Sequence, residues 1–180
     1  NIIKKYSRGG TFLDLGSNTG DIDFLVSDYF DKIFAVDIDI ASKNSSGIYN
    51  VLNAEIFDLN FSQGKLPFQD NYFDFIFFSN VIEHFNFNPI PFLMEIERIL
   101  KKNGIFLIGT PNYKRKLFNG LIRKNFSSFS AKCFLNSDFV NSYGLHWHEY
   151  TLKELRELIS DVGFRIIENY LYSESKNSLR

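Results

Sequence analysis

The segment FLDLGSNTG, residues 12–20, decides how this chain folds. It begins as a short apolar strand and ends in a turn that contains two glycines, Gly16 and Gly20. Apolar residues then recur at helical spacing over residues 21–30. A strand that leads through a glycine turn into a helix is the building unit of parallel α/β sheets, and ligands bind beyond the carboxyl ends of such strands.

The same alternation of strand and helix continues along the chain. It predicts strands at residues 11–15, 32–36, 48–52, 72–79, 105–109 and 164–172, and helices at 21–30, 89–102 and 151–162. Strands that are apolar on both faces need cover on both sides of the sheet. We therefore predict an α/β fold, a Rossmann-like three-layer sandwich with a mostly parallel central sheet, in which residues 1–180 form one domain.

Three regions depart from a regular alternation. Residues 111–150 connect the fifth strand to the last helix, and we interpret this insert as a helical or irregular lid. Few residues follow the sixth predicted strand, so the seventh strand of such a sheet is expected to be missing or to lie outside this chain. Little chain precedes the first strand, so we expect no N-terminal cap helix.

The composition is that of an ordinary globular domain. Of 180 residues 44% are hydrophobic, and the formal net charge is −1. This balance argues against nucleic acid as a partner, and no apolar run reaches the roughly 18 residues of an integral membrane helix. The single cysteine, Cys133, excludes an intramolecular disulfide and favours a cytoplasmic location. No pattern indicates an oligomeric state.

The glycine turn carries groups that suit a ligand. Asp14 is an acid at the end of an apolar strand, where it needs donors such as loop amides or a ligand ammonium. Gly16 and Gly20 allow close backbone approach, and Asn18 tolerates left-handed backbone. Two carboxylates in the first turn of the following helix would repel a pyrophosphate, which disfavours a dinucleotide. A purely structural turn is the alternative.

The order of motifs resembles that of the class I S-adenosyl-L-methionine (SAM)-dependent methyltransferases, in particular the type 11 and type 23 group that acts on sugars, quinones and other small molecules. Asp-x-Gly-x-x-x-Gly at residues 14–20 is similar to their first motif, with Asn18 in place of the middle glycine. Further matches are LPFQDNYFDFIFFSNVIEHF at 66–85, RILKKNGIFLIGTPNY at 98–113 and HEYTLKELRELISDVGF at 148–164. The resemblance covers roughly residues 10 to 172.

The resemblance implies SAM as cofactor and S-adenosylhomocysteine as product. It assigns cofactor binding to Asp14, Gly16, Ser17, Asn18, Gly20, Asp37, Ile38, Asn53, Ala54, Ser79 and Asn80. Asp37 ends the second strand, where an acid can bind ribose hydroxyls; a capping or loop role is its alternative. Asn53 and Ala54, after the predicted third strand, would contact the adenine. Ser79 and Asn80 would line the methionine side.

Histidines are the candidates for a general base, since imidazole titrates near neutrality. His146 and His148, at the end of the insert, are the first choice, and His84 follows the fourth strand. Ordering of the local loop is the alternative role for each. Glu83 and His84 with a lid histidine also resemble the metal site of RNA 3′-terminal 2′-O-methyltransferases. Because Asn80 replaces the first acid of their Glu-x-x-Glu-His motif, we predict no metal.

Charge along the chain gives the clue to the acceptor. Residues 1–97 contain 14 Asp or Glu against 6 Lys or Arg, whereas residues 98–140 contain nine basic residues and one acid. Phenylalanines interleave with the basic residues of the insert. We therefore expect methyl transfer to an O or N atom of a small-molecule or glycan acceptor that carries an anionic group. The alternatives are a lid helix packed on the sheet, peripheral membrane contact, an RNA methyltransferase, and a non-catalytic binding module of the same fold.

Overall fold

The fold is built on a parallel sheet. The computed structural model describes residues 2–44, 47–112 and 146–171. Its strands are β1 (Thr11–Leu15), β2 (Lys32–Asp37), β3 (Glu55–Asp58), β4 (Phe73–Ser79) and β5 (Leu100–Gly109). Within the described residues the order is β3-β2-β1-β4-β5, and every pair is parallel. The predicted α/β fold is confirmed, and the strand order reverses between β1 and β4.

Short helices connect the strands. They are α1 (Ile2–Tyr6), α2 (Asp21–Val26), α3 (Ile40–Lys43), α4 (Ile48–Val51), α5 (Ile90–Ile99) and α6 (Leu152–Asp161), with 3-10 turns at Ser27–Tyr29, Phe61–Gln63 and Ile82–His84. The helix predicted over 21–30 is therefore α2 followed by a 3-10 turn, and α1 precedes β1 where no helix was expected. None of the helices in the described ranges is long and apolar enough to cross a membrane.

The boundaries of the last two helices follow from local chemistry. Helix α6 begins as predicted, because the Thr151 side chain accepts from the amide N–H of Glu154 at 3.2 Å and the Glu154 carboxylate accepts from the Thr151 amide at 2.7 Å. Helix α5 ends at Ile99, three residues earlier than predicted, because β5 begins at Leu100 and pairs with Phe73.

The predicted third strand is wrong. The apolar run predicts a strand over residues 48–52, but Ile48–Val51 is helix α4. The third strand of the sheet is β3, residues Glu55–Asp58. Tyr49 turns inward from α4 and is 1% exposed. Strand β3 lies at the edge of the sheet, and three of its four residues are exposed. An edge strand lacks the apolar pattern by which buried strands are recognised.

The sixth predicted strand is also not observed within the described part of residues 164–172. Residues 164–171 belong to no strand. Their alternating apolar side chains pack on the core instead, with the ring centroids of Phe164 and Phe106 4.9 Å apart. The Glu168 carboxylate binds the Lys5 ammonium at 2.9 Å and the Tyr6 hydroxyl at 2.6 Å. The alternation is used for side-chain packing without backbone pairing.

Phenylalanines fill both faces of the sheet. On one face the rings of Phe12 and Phe30 lie 4.8 Å apart; on the other those of Phe34 and Phe73 lie 5.2 Å apart. Phe12 and Phe73 are fully buried. Full burial of such a side chain contributes about 1.5–3 kcal/mol, so the aromatic core fixes the strands whose ends form the site.

Some basic residues of the range 98–140 form ion pairs at the amino ends of the strands. The Asp74 carboxylate accepts from the Thr11 amide at 2.9 Å and from the Lys101 ammonium at 2.7 Å, so it joins the starts of three strands. The Arg98 guanidinium binds Glu95 at 2.8 Å and Asp70 at 2.5 Å. Arg98 and Lys101 are therefore not available to a lid. The basic residues of the insert, from Lys114 to Lys132, lie outside the described residues.

Candidate active site

A cavity of about 890 Å³ opens at the carboxyl ends of the strands, at the reversal of strand order. Among the predicted cofactor residues, those that line it are Asp14, Gly16, Ser17, Asn18, Asp37, Ile38, Ser79 and Asn80. His84 and Trp147 also line it, whereas Gly20, Asn53 and Ala54 do not. The fold thus brings residues from three strand ends and from the end of the insert to one cavity.

The glycine turn is held to the neighbouring strand. The amides of Gly16 and Ser17 donate to the Val36 carbonyl at 2.7 and 3.2 Å. A Cβ on Gly16, where φ is +88°, would collide with the Val81 side chain, so only glycine fits. Gly20 has φ +82° and begins α2 behind the turn. These amides do not donate to Asp14, so of the two donors expected for that acid, loop amides and a ligand ammonium, the ammonium stays a prediction.

Asp14 instead faces a second buried acid, Asp23. Asp14 is 2% exposed, and Asp23 is fully buried behind it. The two carboxyls interact directly; apart from this contact, neither oxygen of Asp23 has a hydrogen-bond partner among the described residues. Burial raises the pKa of Asp14 well above its usual range, and the charges of Asp23 and Asp37 raise it further. Burial also raises the pKa of Asp23 to about 7.

Asp37 joins the glycine turn to the end of β2. Its Oδ2 accepts from the amide of Asn18 at 2.7 Å. Its Oδ1 accepts from the amide of Ile38 and from the ammonium of Lys43, both at 2.6 Å. The carboxylate is therefore held at the cavity wall by groups from the turn, the strand end and α3. Lys43 lines the cavity too, and no motif or spacing in the sequence singles it out.

Tyr49 is a second residue that the sequence interpretation missed. Its hydroxyl lies 3.0 Å from the Ser17 hydroxyl and donates to the Asn18 carbonyl at 3.0 Å. Burial raises the pKa of this phenol, so it stays protonated as a donor. The residue was hidden by its assignment to a strand, whereas from α4 its side chain reaches beneath the glycine turn.

The assignment of Asn53 and Ala54 to the adenine site followed from the misplaced third strand and needs correction. Both residues precede β3, at the edge of the sheet opposite the cavity, and Ala54 donates its amide to the Tyr49 carbonyl at 2.9 Å. The residues that follow β3 and line the cavity are Leu59, Asn60, Phe61 and Ser62. The expectation that the segment after the third strand reaches the cavity therefore applies to residues 59–62, which follow β3, and not to Asn53 and Ala54.

The three histidines have different surroundings. His84 lines the cavity, and the ring of His146 lies against it at 4.9 Å between centroids. The Nδ1 atom of His146 is 2.8 Å from Oε1 of Glu149. His148 is exposed, and its ring packs on Tyr150 at 4.4 Å. The structure therefore brings two of the three predicted bases together beside the cavity and leaves His148 outside its lining.

Comparison with known proteins gives the family. A family model described as a methyltransferase domain matches residues 2–169. The chain belongs to this methyltransferase family. Among curated proteins, the methyltransferase domain is 27% identical over 168 residues to the uncharacterized protein MJ1123 of Methanocaldococcus jannaschii, and the match covers 92% of this chain and 70% of that protein.

Solved structures share the methyltransferase fold. The partner of the Haloferax volcanii Trm112 methyltransferase activator, in the structure of their complex, superposes with a TM-score of 0.69 at 20% identity, covering 93% of this chain and 66% of that one. A SAM-dependent methyltransferase from Archaeoglobus fulgidus superposes with a TM-score of 0.64 at 17% identity, covering 91% and 65%. The chain thus spans about two thirds of the length of these structures.

The cavity fits SAM, the cofactor that the resemblance of the sequence motifs implies. SAM carries a positive sulfonium and a positive ammonium and has no phosphate. The buried acids Asp14 and Asp23 lack a cationic partner among the described residues, so a cationic ligand suits them. The close approach at Gly16 and the carboxylate of Asp37 provide for backbone contact and for ribose hydroxyls. When bound, SAM supplies an activated methyl group.

Proposed function

We propose that this methyltransferase transfers the methyl group of SAM to an O or N atom of a small-molecule or glycan acceptor that carries an anionic group. The observation that supports this most is the composition of the cavity, which has two unlike ends. The glycine turn, Asp14 and Asp37 suit the cofactor. Ser79 and Asn80 suit the methionine side of the cofactor, whereas His84 and Trp147, where the insert returns to the sheet, suit the approach of an acceptor. A cytoplasmic location is part of the proposal, favoured by the single cysteine.

The chemistry asked of the protein is mainly alignment. The methyl on a sulfonium is already activated, and holding nucleophile, carbon and sulfur in line is worth roughly 7–11 kcal/mol at best. A general base adds about 10²–10⁴-fold for an acceptor hydroxyl. We assign the role of general base to His84 because it lines the cavity. The ring of His146 packs against it, with 4.9 Å between the ring centroids. His148 stays a prediction from sequence.

The anionic character of the acceptor is proposed from the insert. Its basic residues Lys114, Arg115 and Lys116 follow closely after Thr110, whose hydroxyl donates to the Glu83 carboxylate at 3.0 Å beside the cavity. The acceptors that carry such an anionic group are phosphorylated or nucleotide-linked sugars, carboxylated metabolites and lipid-linked head groups.

The first experiment is calorimetric titration with SAM, S-adenosylhomocysteine, NAD and ATP. We expect micromolar binding of the first two and none of the others. Gly16→Ala should abolish binding because of the collision with Val81. Gly163→Ala is the matched control: it also replaces a glycine with positive φ (+113°), but it meets open space at the end of α6. Binding of NAD or ATP in place of SAM would refute the cofactor.

The second experiment identifies the acceptor class. Transfer of radiolabelled methyl from SAM is measured on pools of nucleotide sugars, sugar phosphates, small carboxylates, lipid-linked glycans and total RNA. We expect product in one of the anionic small-molecule or glycan pools. Product in the RNA pool alone, with binding that weakens steeply as salt is raised, would replace this proposal with RNA methylation. SAM binding without transfer to any pool would favour the non-catalytic module.

A further inference from the structure

We propose that Glu83, His84 and His146 form a binding site for one divalent transition-metal ion beside the cavity. Each residue offers a ligand atom, and these atoms lie within 4.8 Å of one another. The two elements that supply them are far apart in sequence: the 3-10 turn Ile82–His84 follows β4, and His146 lies at the end of the insert. From the sequence we consider Glu83 and His84 with a histidine of the insert, and predict no metal because Asn80 replaces the first acid; the structure identifies that histidine as His146 and brings the three residues together.

Glu83 carries the strongest observation. The residue is fully buried, and its Oε2 accepts a hydrogen bond from the Thr110 hydroxyl at 3.0 Å. Its Oε1 is buried and has no hydrogen-bond partner among the described residues. A buried carboxylate oxygen without a partner is unfavourable, and a cation bound at the cluster would supply the missing interaction.

The backbone of Glu83 holds the cluster together. Its carbonyl accepts from the amides of Trp147 and His148 at 2.7 and 3.3 Å. These bonds fix the end of the insert against the 3-10 turn, so that the position of His146 relative to Glu83 and His84 does not depend on the side chains alone. A preformed arrangement of this kind lowers the cost of bringing the ligands together.

His146 is oriented as metal-bound histidines commonly are. With Nδ1 2.8 Å from Oε1 of Glu149, the imidazole donates Nδ1–H to that carboxylate, and Nε2 presents its lone pair on the other side of the ring. A carboxylate behind a histidine fixes the tautomer and makes the ligating nitrogen more basic. Glu149 is thus a positioning residue in the proposed site.

The donor set selects the kind of ion. Two imidazoles and one carboxylate suit Zn²⁺, Mn²⁺, Fe²⁺ or Co²⁺ better than Mg²⁺ or Ca²⁺, which prefer oxygen ligands. For metal–ligand distances of about 2.1 Å, tetrahedral ligand atoms lie about 3.4 Å apart, so ligand atoms that are now within 4.8 Å of one another need to approach by up to about 1.4 Å.

Three protein ligands leave at least one coordination position open, as in catalytic metal sites. Because His84 lines the cavity, that position adjoins the acceptor end. A His84 that ligates the ion could not also act as the general base, and the ion would take over this role: it would bind an acceptor oxygen and lower the pKa of an acceptor hydroxyl, which favours O-methylation. This assignment of the acceptor atom rests on the proposed function; the metal site itself does not.

The test is titration of the untagged protein with CoCl₂, followed by visible absorption, and with ZnCl₂ in competition. All variants carry Cys133→Ser, so that the lone thiol adds no ligand. We expect one ion per chain and a Co²⁺ spectrum of low coordination number that Zn²⁺ abolishes. His146→Gln and Glu83→Gln should each weaken binding at least 100-fold, and Glu149→Gln about 10–100-fold. His148→Gln, two residues away but outside the cluster, should bind as the parent does.

Glu83 is fully buried, so circular dichroism accompanies each variant, and the partly exposed His146 provides the decisive substitution if Glu83→Gln does not fold. Absence of saturable 1:1 binding, equal affinity in His146→Gln, or equal loss in His148→Gln would overturn the site. SAM affinity is measured on the same samples. Absence of SAM binding to the parent protein would contradict the proposed function, whereas the metal site is decided by Co²⁺ and Zn²⁺ binding alone.

Discussion

The amide N–H of Asn18 donates to Oδ2 of Asp37 across 2.7 Å and so ties the glycine turn to the end of β2. The residue that the family resemblance assigns to the ribose therefore also shapes the glycine turn, which the same resemblance assigns to the cofactor. Asn18 has φ +50°, a left-handed conformation that the bond helps to hold. The replacement of the family's middle glycine by asparagine is compatible with the turn.

Asp37→Ala should weaken SAM binding at least tenfold, because it removes an expected ribose contact and the charged acceptor of the Asn18 amide. Lys43→Met is the matched variant: it removes only the ammonium that now binds Oδ1 at 2.6 Å. We expect Lys43→Met to bind SAM at least as tightly as the parent. Calorimetry on both variants decides the matter, and unchanged affinity in Asp37→Ala would contradict the ribose assignment.

The buried acid pair predicts that stability falls as pH rises. A carboxyl whose pKa is raised by folding stays protonated while the unfolded chain ionises. For Asp23 the pKa rises from 3.8 to about 7, so the free energy of unfolding declines between about pH 4 and pH 7, by on the order of 4 kcal/mol. Urea unfolding at pH 5 and pH 8 measures the decline. Asp23→Asn should reduce it, and the exposed Asp28→Asn should leave it unchanged.

The same pair predicts proton release when SAM binds. A cationic ligand beside Asp14 favours the ionised carboxylate, so SAM affinity should rise with pH from 5.5 to 8 while the pair loses its proton. Titrations at pH 6.5 in two buffers with different ionisation enthalpies count the protons. Equal heats in both buffers would mean that the acids are already ionised or do not face the cofactor.

Tyr49→Phe should lower the free energy of unfolding by about 1 kcal/mol and weaken SAM binding several-fold, because the hydroxyl supports Ser17 and Asn18 under the turn. Tyr6→Phe is the control, since its hydroxyl binds Glu168 away from the cavity at 2.6 Å. That variant should bind SAM normally. A SAM affinity in Tyr49→Phe equal to that of Tyr6→Phe would reduce Tyr49 to a core residue.

Replacing Lys114, Arg115 and Lys116 with glutamine should raise the KM for the anionic acceptor and leave SAM affinity unchanged. The physical reason is the loss of three positive charges from the insert while the cofactor end of the cavity stays intact. Lys101→Gln is the control, since that ammonium is engaged by Asp74 at the other end of the strands. A triple variant that alters both the KM for the acceptor and the affinity for SAM, or that alters neither, would refute the role of the insert.

Most of the fold could be predicted from buried strands and from caps. Strand β4 is apolar on both faces, and the capping box at Thr151 fixes the start of α6 by local bonds alone. The errors occurred where tertiary packing overrides local pattern. The apolar run at 48–52 forms a helix, from which the Tyr49 hydroxyl bonds to the Asn18 carbonyl of the glycine turn. Edge strand β3 has too few buried apolar residues to be predicted as a strand.

The candidate site was predictable in its glycine turn and its acid at the end of β2, because both are fixed by backbone geometry near one point of the chain. The partnership of Asp14 with Asp23 was not, since α2 must first be placed on the sheet before the carboxyls meet. The same holds for His84 and His146, whose contact depends on where the insert returns.

Both stems of the insert converge on Glu83: Thr110 binds its carboxylate at 3.0 Å, and Trp147 binds its carbonyl at 2.7 Å. The chain thus leaves the sheet and returns to it at one residue. Evolution, or a protein engineer, can exchange the intervening segment as a unit while the part of the fold to which we assign the methyl donor keeps its geometry. New acceptors would then be acquired by recombination of this segment more readily than by point substitution.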